Sequence, residues 1–300
     1  MKFKTLLVFA FALFIEAAQA QYVDEAANAP KKKIRVNEAA IYPSFILQME
    51  PTGTLEDFRK LAPGSMILNR DYSSYTQNRY NSIDGQGVFS GNIGISFLNK
   101  KTNAYRNMTL RIGVSYLTSG FSSALSKTTT TRFDTLMSSG GTTAYVDSIR
   151  NQYVGMRYTS KELRADISVI FRTKPEARWG LYGGIGFTVG ASINAYSDIT
   201  YSDHIELETT YQNTVTNSSY SNNSSSHEPE SERYSHKNGI GYSAYLPIGL
   251  DYRIANRSEF WKRMHLFYEA KLFVNASSIA GLGTIASAGM QNGVGLRVAF

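Results

Sequence analysis

The amino-acid sequence predicts an all-β fold, a transmembrane antiparallel up-and-down β-barrel, on three observations. A leader of about twenty residues marks the chain for export. Beyond it no apolar run is long enough to cross a bilayer as a helix, yet short segments repeatedly alternate apolar with polar or small residues. The last of these segments ends on an aromatic residue, Phe300.

The leader has a basic start at Lys2 and Lys4, an apolar run from Leu6 to Ile15, and small residues at Ala18-Gln19-Ala20. This is the pattern of a signal peptide cleaved after Ala20, and the apolar run is shorter than the roughly 20 residues a spanning helix needs. Cysteine is absent, which leaves neither a lipid-anchored thiol nor a disulfide framework. Hydrophobic residues make up 42% of the chain and mean hydropathy is −0.26, values ordinary for a soluble protein. A barrel has the same average, because only alternate residues of each strand face lipid. Tyr (20) and Phe (16) are abundant while Pro (7) is scarce, as strands with aromatic belts require. The net charge of +7 by itself admits nucleic acid as a partner. Export and the absence of a nucleic-acid motif argue against that.

Residues 21–37, with Lys31-Lys32-Lys33 and Arg35, read as a polar periplasmic tail, and residues 38–300 as the barrel. The first strand is expected at Ile41–Glu50, with Pro43 inside it as a mark of an edge or a strand start. Thr54-Leu55-Glu56-Asp57 then offers a capping-box-like start to one short helix running to Pro63-Gly64. Strands follow at Val88–Phe97 and Thr109–Leu117. A β-rich ribbon rises through Thr128–Met137, turns at Gly140-Gly141 and returns through Tyr153. The remaining strands are Leu163–Phe171, a segment from Leu181 to Ile193, Tyr242–Tyr252, Leu266–Val274, and the terminal Met290–Phe300, where Asn292 breaks the apolar face. Eight strands result, or ten if the ribbon arms cross the membrane themselves. Extracellular loops are expected at about 51–86, 118–160, 202–237 and 281–287.

The short connections Asn99–Arg106, Thr173–Arg178 and Ala255–Arg263 assign the periplasmic side, since barrel turns there are short and outer loops long. Tyr105, Trp179 and Trp261 fall in these turns and predict an aromatic girdle at one interface. With apolar residues turned to lipid, Arg111, Arg164, Asp166, Asp251, Arg253, Glu269, Lys271 and Arg297 collect on the inner face. Eight strands enclose just enough space for side chains, so these charges are expected to pair in a packed ionic core. A selectivity lining for a narrow pore is the other possibility they leave.

The alternating strands, the side assignment and the closing Phe300 together resemble the small eight-stranded outer-membrane barrels of the OmpA/OmpX kind, over Ile41 to Phe300. The resemblance is to the barrel alone, and no C-terminal peptidoglycan-binding domain like that of OmpA is expected. That resemblance implies a Gram-negative outer-membrane location and contact with outer-membrane lipid and lipopolysaccharide. It also implies a monomer, and an assembly signal in Phe300, Val298 and Leu296 read by the barrel-assembly machinery. Chemistry is sparse. His265 has no nucleophile at a useful offset and reads as an interior histidine. His204 and His236, near Asp203 and Glu232, offer a dyad, or with His227, Glu228 and Glu230 a loose metal site, of no recognised spacing. No catalytic residue, cofactor or metal is therefore expected. A non-enzymatic surface protein presenting loops to an extracellular ligand is the function favoured, with a porin-like passive channel as the alternative and an outer-membrane hydrolase third.

Overall fold

The computed structural model describes residues 33–49, 52–78, 83–99, 104–137, 143–173, 177–212, 217–255 and 258–300. The expected leader, its cleavage point Ala20, most of the tail and the Gly140-Gly141 turn lie outside them. The elements are β1 (Ile34–Met49), α1 (Leu55–Leu61), β2 (Thr76–Asn78), β3 (Ile83–Asn99), β4 (Ala104–Met137), β5 (Thr143–Arg172) and β6 (Trp179–Gln212). They continue with β7 (Asn217–Ser226), β8 (Glu230–Ser235), β9 (Ile240–Arg253), α2 (Glu259–Arg263), β10 (Met264–Ile279) and β11 (Gly283–Ala299).

Eight strands close into one antiparallel ring in the order β1, β3, β4, β5, β6, β9, β10, β11 and back to β1. Closure leaves no free edge at membrane depth, the condition for a sheet to sit in hydrocarbon. The ribbon arms are not ninth and tenth strands. They are continuous extensions of β4 and β5, paired from Met108–Phe171 up to Met137–Thr143. The segment expected as the loop 202–237 is largely strand as well: β6 runs on to Gln212, and β7 and β8 pair back onto it. Thr and Tyr on β6 suit strands, but β7 is almost wholly Asn and Ser, and the polarity of the whole segment hid it from a search for apolar alternation.

Pro43 sits in a ring strand with neighbours on both sides, not at an edge. Its pairing to β3 at Phe89 is intact, while the ladder to β11 skips from Ile41–Leu296 to Ser44–Gly293. A residue without an N–H interrupts one ladder only. Pro247 leaves a matching gap between Gly183–Ile248 and Gly186–Tyr245 on the β6 side.

Along the membrane section the outward side chains are apolar and exposed: Ile112 and Val114 on β4, Leu163, Ile167 and Phe171 on β5, Ile185 and Phe187 on β6, and Leu246 and Ile248 on β9. Leu163 to Phe171 matches the nine to eleven or so residues a tilted strand needs to cross a bilayer. Asn292 is the polar residue on this outer face, and the Tyr268 hydroxyl donates to its Oδ1 at 2.6 Å. That bond removes the cost of an unsatisfied amide in hydrocarbon.

Above this section the pattern inverts. On β4 the buried inward residues become Phe121 and Leu125, on β5 Tyr158, Met156 and Val154, and on β6 Ala195 and Ile199. Strand geometry keeps its period of two, so an apolar residue inside and a polar one outside mean water outside. The change falls between Leu163 and Tyr158 on β5. It coincides with an irregularity in the β5–β6 register between Lys161 and Glu162.

Candidate functional site: a closed lumen

The lumen is filled in layers along its axis. At the end that carries the short turns Glu38, wholly buried, is the hub. Its carboxylate accepts from Arg111 Nε (3.1 Å), Arg172 Nη2 (2.9 Å) and Arg297 Nη1 (3.1 Å), with a further close bond from Arg172 Nη1. Arg297 also engages Asp251, which accepts from His265 Nδ1 at 2.9 Å. One step outward, Arg111 Nη1 donates to Glu269 at 2.6 Å, and Tyr42 donates to the same carboxylate at 3.3 Å. Lys271 then bridges Glu269 (3.7 Å) and Asp166 (3.3 Å), while Tyr245 donates its hydroxyl to Asp166.

The strands make room for these large groups with glycine. A Cβ on Gly186 would stand 2.2 Å from the Tyr245 ring, and one on Gly249 would stand 2.1 Å from the Tyr182 ring. The two rings therefore lie flat against opposing backbone, Tyr182 under Arg111 (4.9 Å) and Tyr245 under Lys271 (4.4 Å). Such contacts stabilise the cations as well as filling space.

A cavity of about 40 Å³ follows, lined by polar Gln48, Gln86, Ser90, Thr188 and Ser243 together with Ile46, Val88 and Phe273. Gln86 Oε1 and Ser90 Oγ have no hydrogen-bond partner among the described residues. The space suits a few ordered waters. Beyond it Arg164 binds Glu162 through Nε (2.8 Å) and Nη2 (2.5 Å) and donates to Asn275 at 2.6 Å.

The outer mouth is closed by residues 53–78. The expected capping box is formed: Asp57 N–H donates to Thr54 Oγ1 at 3.2 Å and Thr54 N–H to Asp57 Oδ2 at 2.9 Å. It starts α1, whose Phe58 and Leu61 turn inward. With Ala62, Ile67, Leu68 and Tyr72 they pack on Phe121, Val154, Tyr158 and Ile199 of the extended strands. Phe58 and Phe121 lie 5.0 Å apart, and Phe121 stacks on Tyr158 at 5.3 Å. What reads in sequence as a helix in a loop is an apolar stopper. Glu232 of β8 latches it, accepting from Met66 N–H (3.1 Å), Ile67 N–H (3.2 Å) and the Ser65 hydroxyl. Burial raises the Glu232 pKa, but these donors and the Tyr234 hydroxyl outweigh it and hold the carboxyl below its ordinary value.

Of the residues expected in the ionic core, Arg111, Arg164, Asp251, Glu269, Lys271 and Arg297 are buried, and Asp166 and Arg253 are half-buried. Arg164 stands apart from the others, beyond the cavity. Glu38, Glu162 and Arg172 are members that alternation missed. Each lies one to three residues past the last apolar residue used to end a strand, in phase with the inward set. At the girdle, Trp179 packs on Tyr252 at 4.4 Å and Trp261 on Phe260 at 5.2 Å. Trp261 lies on α2, where only a turn was expected. Tyr105 pairs with Leu98 at the base of β4, and its side chain lies outside what is described. Leu296 faces outward, Val298 is buried, and the Phe300 N–H donates to Asn37 O at 2.8 Å across the β11–β1 seam.

His204 and His236 do not converge, while the His227 N–H donates to Asp203 O at 3.2 Å beside His204. His236 is bound by its N–H to Ala195 O, whereas His204 pairs with Asn151, nine residues further along β6, roughly 30 Å at the rise of a strand. Asp203 is taken by Arg150 and Glu232 by the stopper. His236 Nε2 meets Ser197 Oγ at 2.7 Å, but Ser197 is wholly buried and no substrate reaches its oxygen in this arrangement.

A ring of eight strands, apolar outside and ionic within, makes this chain a transmembrane antiparallel β-barrel. No family model and no curated protein sequence matches it. Among solved structures it is similar to Neisserial surface protein A, at 11% identity over 90% of this chain and 98% of that one, with a TM-score of 0.26. It is also similar to the outer membrane channel DcaP of Acinetobacter baumannii (7% identity, 92% and 100% covered, TM-score 0.16). A third likeness is to the translocator domain of the autotransporter NalP from Neisseria meningitidis (8% identity, 98% of each chain, TM-score 0.15).

Proposed function

We propose that this chain is a non-enzymatic anchor in the outer membrane of a Gram-negative bacterium that does not conduct solutes. It holds a stiff β platform, the extensions of β4, β5 and β6 with β7 and β8, outside the membrane for a partner to bind. The observation that carries this reading is the doubly closed lumen. A solute moving through it has to displace the Glu38–Arg111–Arg172–Arg297 layer and the stopper around Phe58 and Phe121. Buried charges are costly to separate, so the inner layer is a barrier and not a selectivity ring. A rigid scaffold with polar surface above the lipid is a usual place for binding function.

The test is single-channel recording of the purified full-length protein in a planar bilayer. The expected result is no conductance step from the intact chain, and none after residues 54–75 are replaced by a short Gly-Ser linker, because the ionic layer still blocks the base. Regular steps from the intact chain would overturn the reading in favour of a passive channel.

A further inference from the structure

The layer between the Glu38 hub and the cavity holds its charges in the arrangement of an acylation site. Lys271 of β10, 5% exposed, has its Nζ 3.3 Å from Asp166 Oδ2 of β5 and 3.7 Å from Glu269 Oε1. The rings of Tyr42 (5.4 Å) and Tyr245 (4.4 Å) wall it in. The Tyr245 hydroxyl donates to Asp166 Oδ1, the oxygen on which charge gathers when an amine adds to the carboxyl carbon. The cavity of about 40 Å³ is lined by Lys271, Asp166 and Tyr245, and its Gln86 Oε1 and Ser90 Oγ have no hydrogen-bond partner among the described residues. An amine, a carboxyl, a second carboxylate beside the amine, an oxyanion donor and room for a leaving water thus meet at one place.

Away from water an ammonium and a carboxylate lose the solvation that keeps them charged, which brings the neutral amine and acid within reach. Strands fixed in a closed ring hold the two together at an effective concentration on the order of 10⁵ M or more. We propose that Lys271 and Asp166 condense spontaneously into an intramolecular amide that ties β10 to β5 across the lumen. One proton passes from Nζ to Oδ2 along the existing hydrogen bond, leaving a free amine and a carboxylic acid. The Nζ lone pair then adds to Cγ while Tyr245 holds the charge on Oδ1. Glu269 takes a second proton from Nζ and delivers it to Oδ2. The Cγ–Oδ2 bond breaks, and that oxygen leaves as water into the cavity. Glu269 ends as it began, nothing is oxidised or reduced, and the chain is lighter by one water. The product joins residues 105 positions apart and makes the inner closure covalent.

The test is the intact mass of the full-length protein, followed over time as the urea-unfolded chain refolds into lipid vesicles. The folded chain is expected to lose the mass of one water, and the chain kept in urea to lose nothing. Trypsin should then release one branched peptide joining residues 165–172 to residues 264–297, because acylated Lys271 is no longer cleaved. Lys271→Arg keeps the cation and should abolish the mass loss. Boiled, it should also migrate more slowly than the looped wild type. Glu269→Gln and Tyr245→Phe should each slow closure about a hundredfold or more, the usual share of a positioned proton carrier or oxyanion donor. Heat-modifiable migration before boiling shows which variants are closed barrels, and Tyr245→Phe carries the kinetic test if Glu269→Gln does not fold. Folded wild-type protein that keeps its full mass overturns the proposal and leaves Lys271 in an ion pair alone. Mass loss that persists in Lys271→Arg, or closure at an unchanged rate in Tyr245→Phe, overturns it as well.

Discussion

The hub position of Glu38 gives the sharpest test of the lumen. Glu38→Ala removes the acceptor of three arginines at once. Arg111 keeps Glu269 at 2.6 Å and Arg297 keeps Asp251, so neither is left alone. Arg172 is different: among the described residues Glu38 is its anion, and its Nε has no partner there. The loss therefore concentrates on one guanidinium. Breaking a buried pair costs about 3–5 kcal/mol, and Arg172, near the short-turn end of the lumen and 9% exposed, recovers part of its solvation. The lower end, about 3 kcal/mol, is expected. With a urea dependence of about 2 kcal/mol per molar, that lowers the unfolding midpoint by roughly 1.5 M. The assay is reversible urea unfolding in lipid vesicles. Leu272→Ala serves as a lipid-facing comparison: Leu272 is 51% exposed, the lost transfer free energy is at most about 2 kcal/mol, and hydrocarbon leaves no cavity behind. A second variant isolates the mechanism. Removing Arg172 as well should restore part of the loss, because the orphaned charge leaves with it. If Glu38→Ala shifts the midpoint by less than Leu272→Ala, or if Glu38→Ala/Arg172→Ala is worse than Glu38→Ala, then the lumen is not organised around this carboxylate.

Two further outcomes follow from the seam and the latch. Deleting Phe300 removes the N–H that bonds Asn37 across the β11–β1 closure, so most of the exported protein should fail to reach the heat-modifiable form in the outer membrane. Normal levels of folded truncated protein would show that this residue is neither a closing rung nor an assembly signal. Glu232 has its pKa depressed in the folded state, so its contribution is fully present above the ordinary value of 4.5 and is lost as pH falls through the lower folded value. Hydrogen exchange at the Met66 and Ile67 amides should therefore be slow at neutral pH and speed up, relative to intrinsic rates, in strong acid. Glu232→Gln should exchange faster at neutral pH and lose most of this pH dependence. Equal protection in the variant would mean that the stopper is held by its apolar contacts alone.

The eight ring strands and the inward charges were legible because lipid imposes a strict rule on one face. A segment such as Leu163–Phe171 has to show an apolar residue at every second position, and the remaining positions then fall inside by geometry. The rule weakens where lipid ends, and there alternation no longer marks the inner face. Glu162, Arg172 and Glu38 continue the inward phase past the last lipid-facing side chain. Strand ends drawn at Leu163, Phe171 and Ile41 therefore cut off the very residues that complete the core. Above the membrane the same period of two persists with its faces exchanged. Tyr116 is outward on β4, but Leu117, Phe121 and Leu125 are buried inside, a slip of phase by one residue that was present in the sequence and reads as noise if lipid is assumed throughout. Followed as a signal, that slip locates the water boundary on β4 near Leu117 and on β5 between Leu163 and Tyr158. It also explains why residues 53–78 are apolar on one side: they cover the face that the inversion exposes. What no local pattern carries is the pairing itself. Ser65 finds Glu232 167 positions away, and Glu38 finds Arg297 259 positions away, only because the ring closes and the stopper folds back over its mouth. Charge pairs of this kind are consequences of topology, and they become readable once the order of strands around the barrel is known.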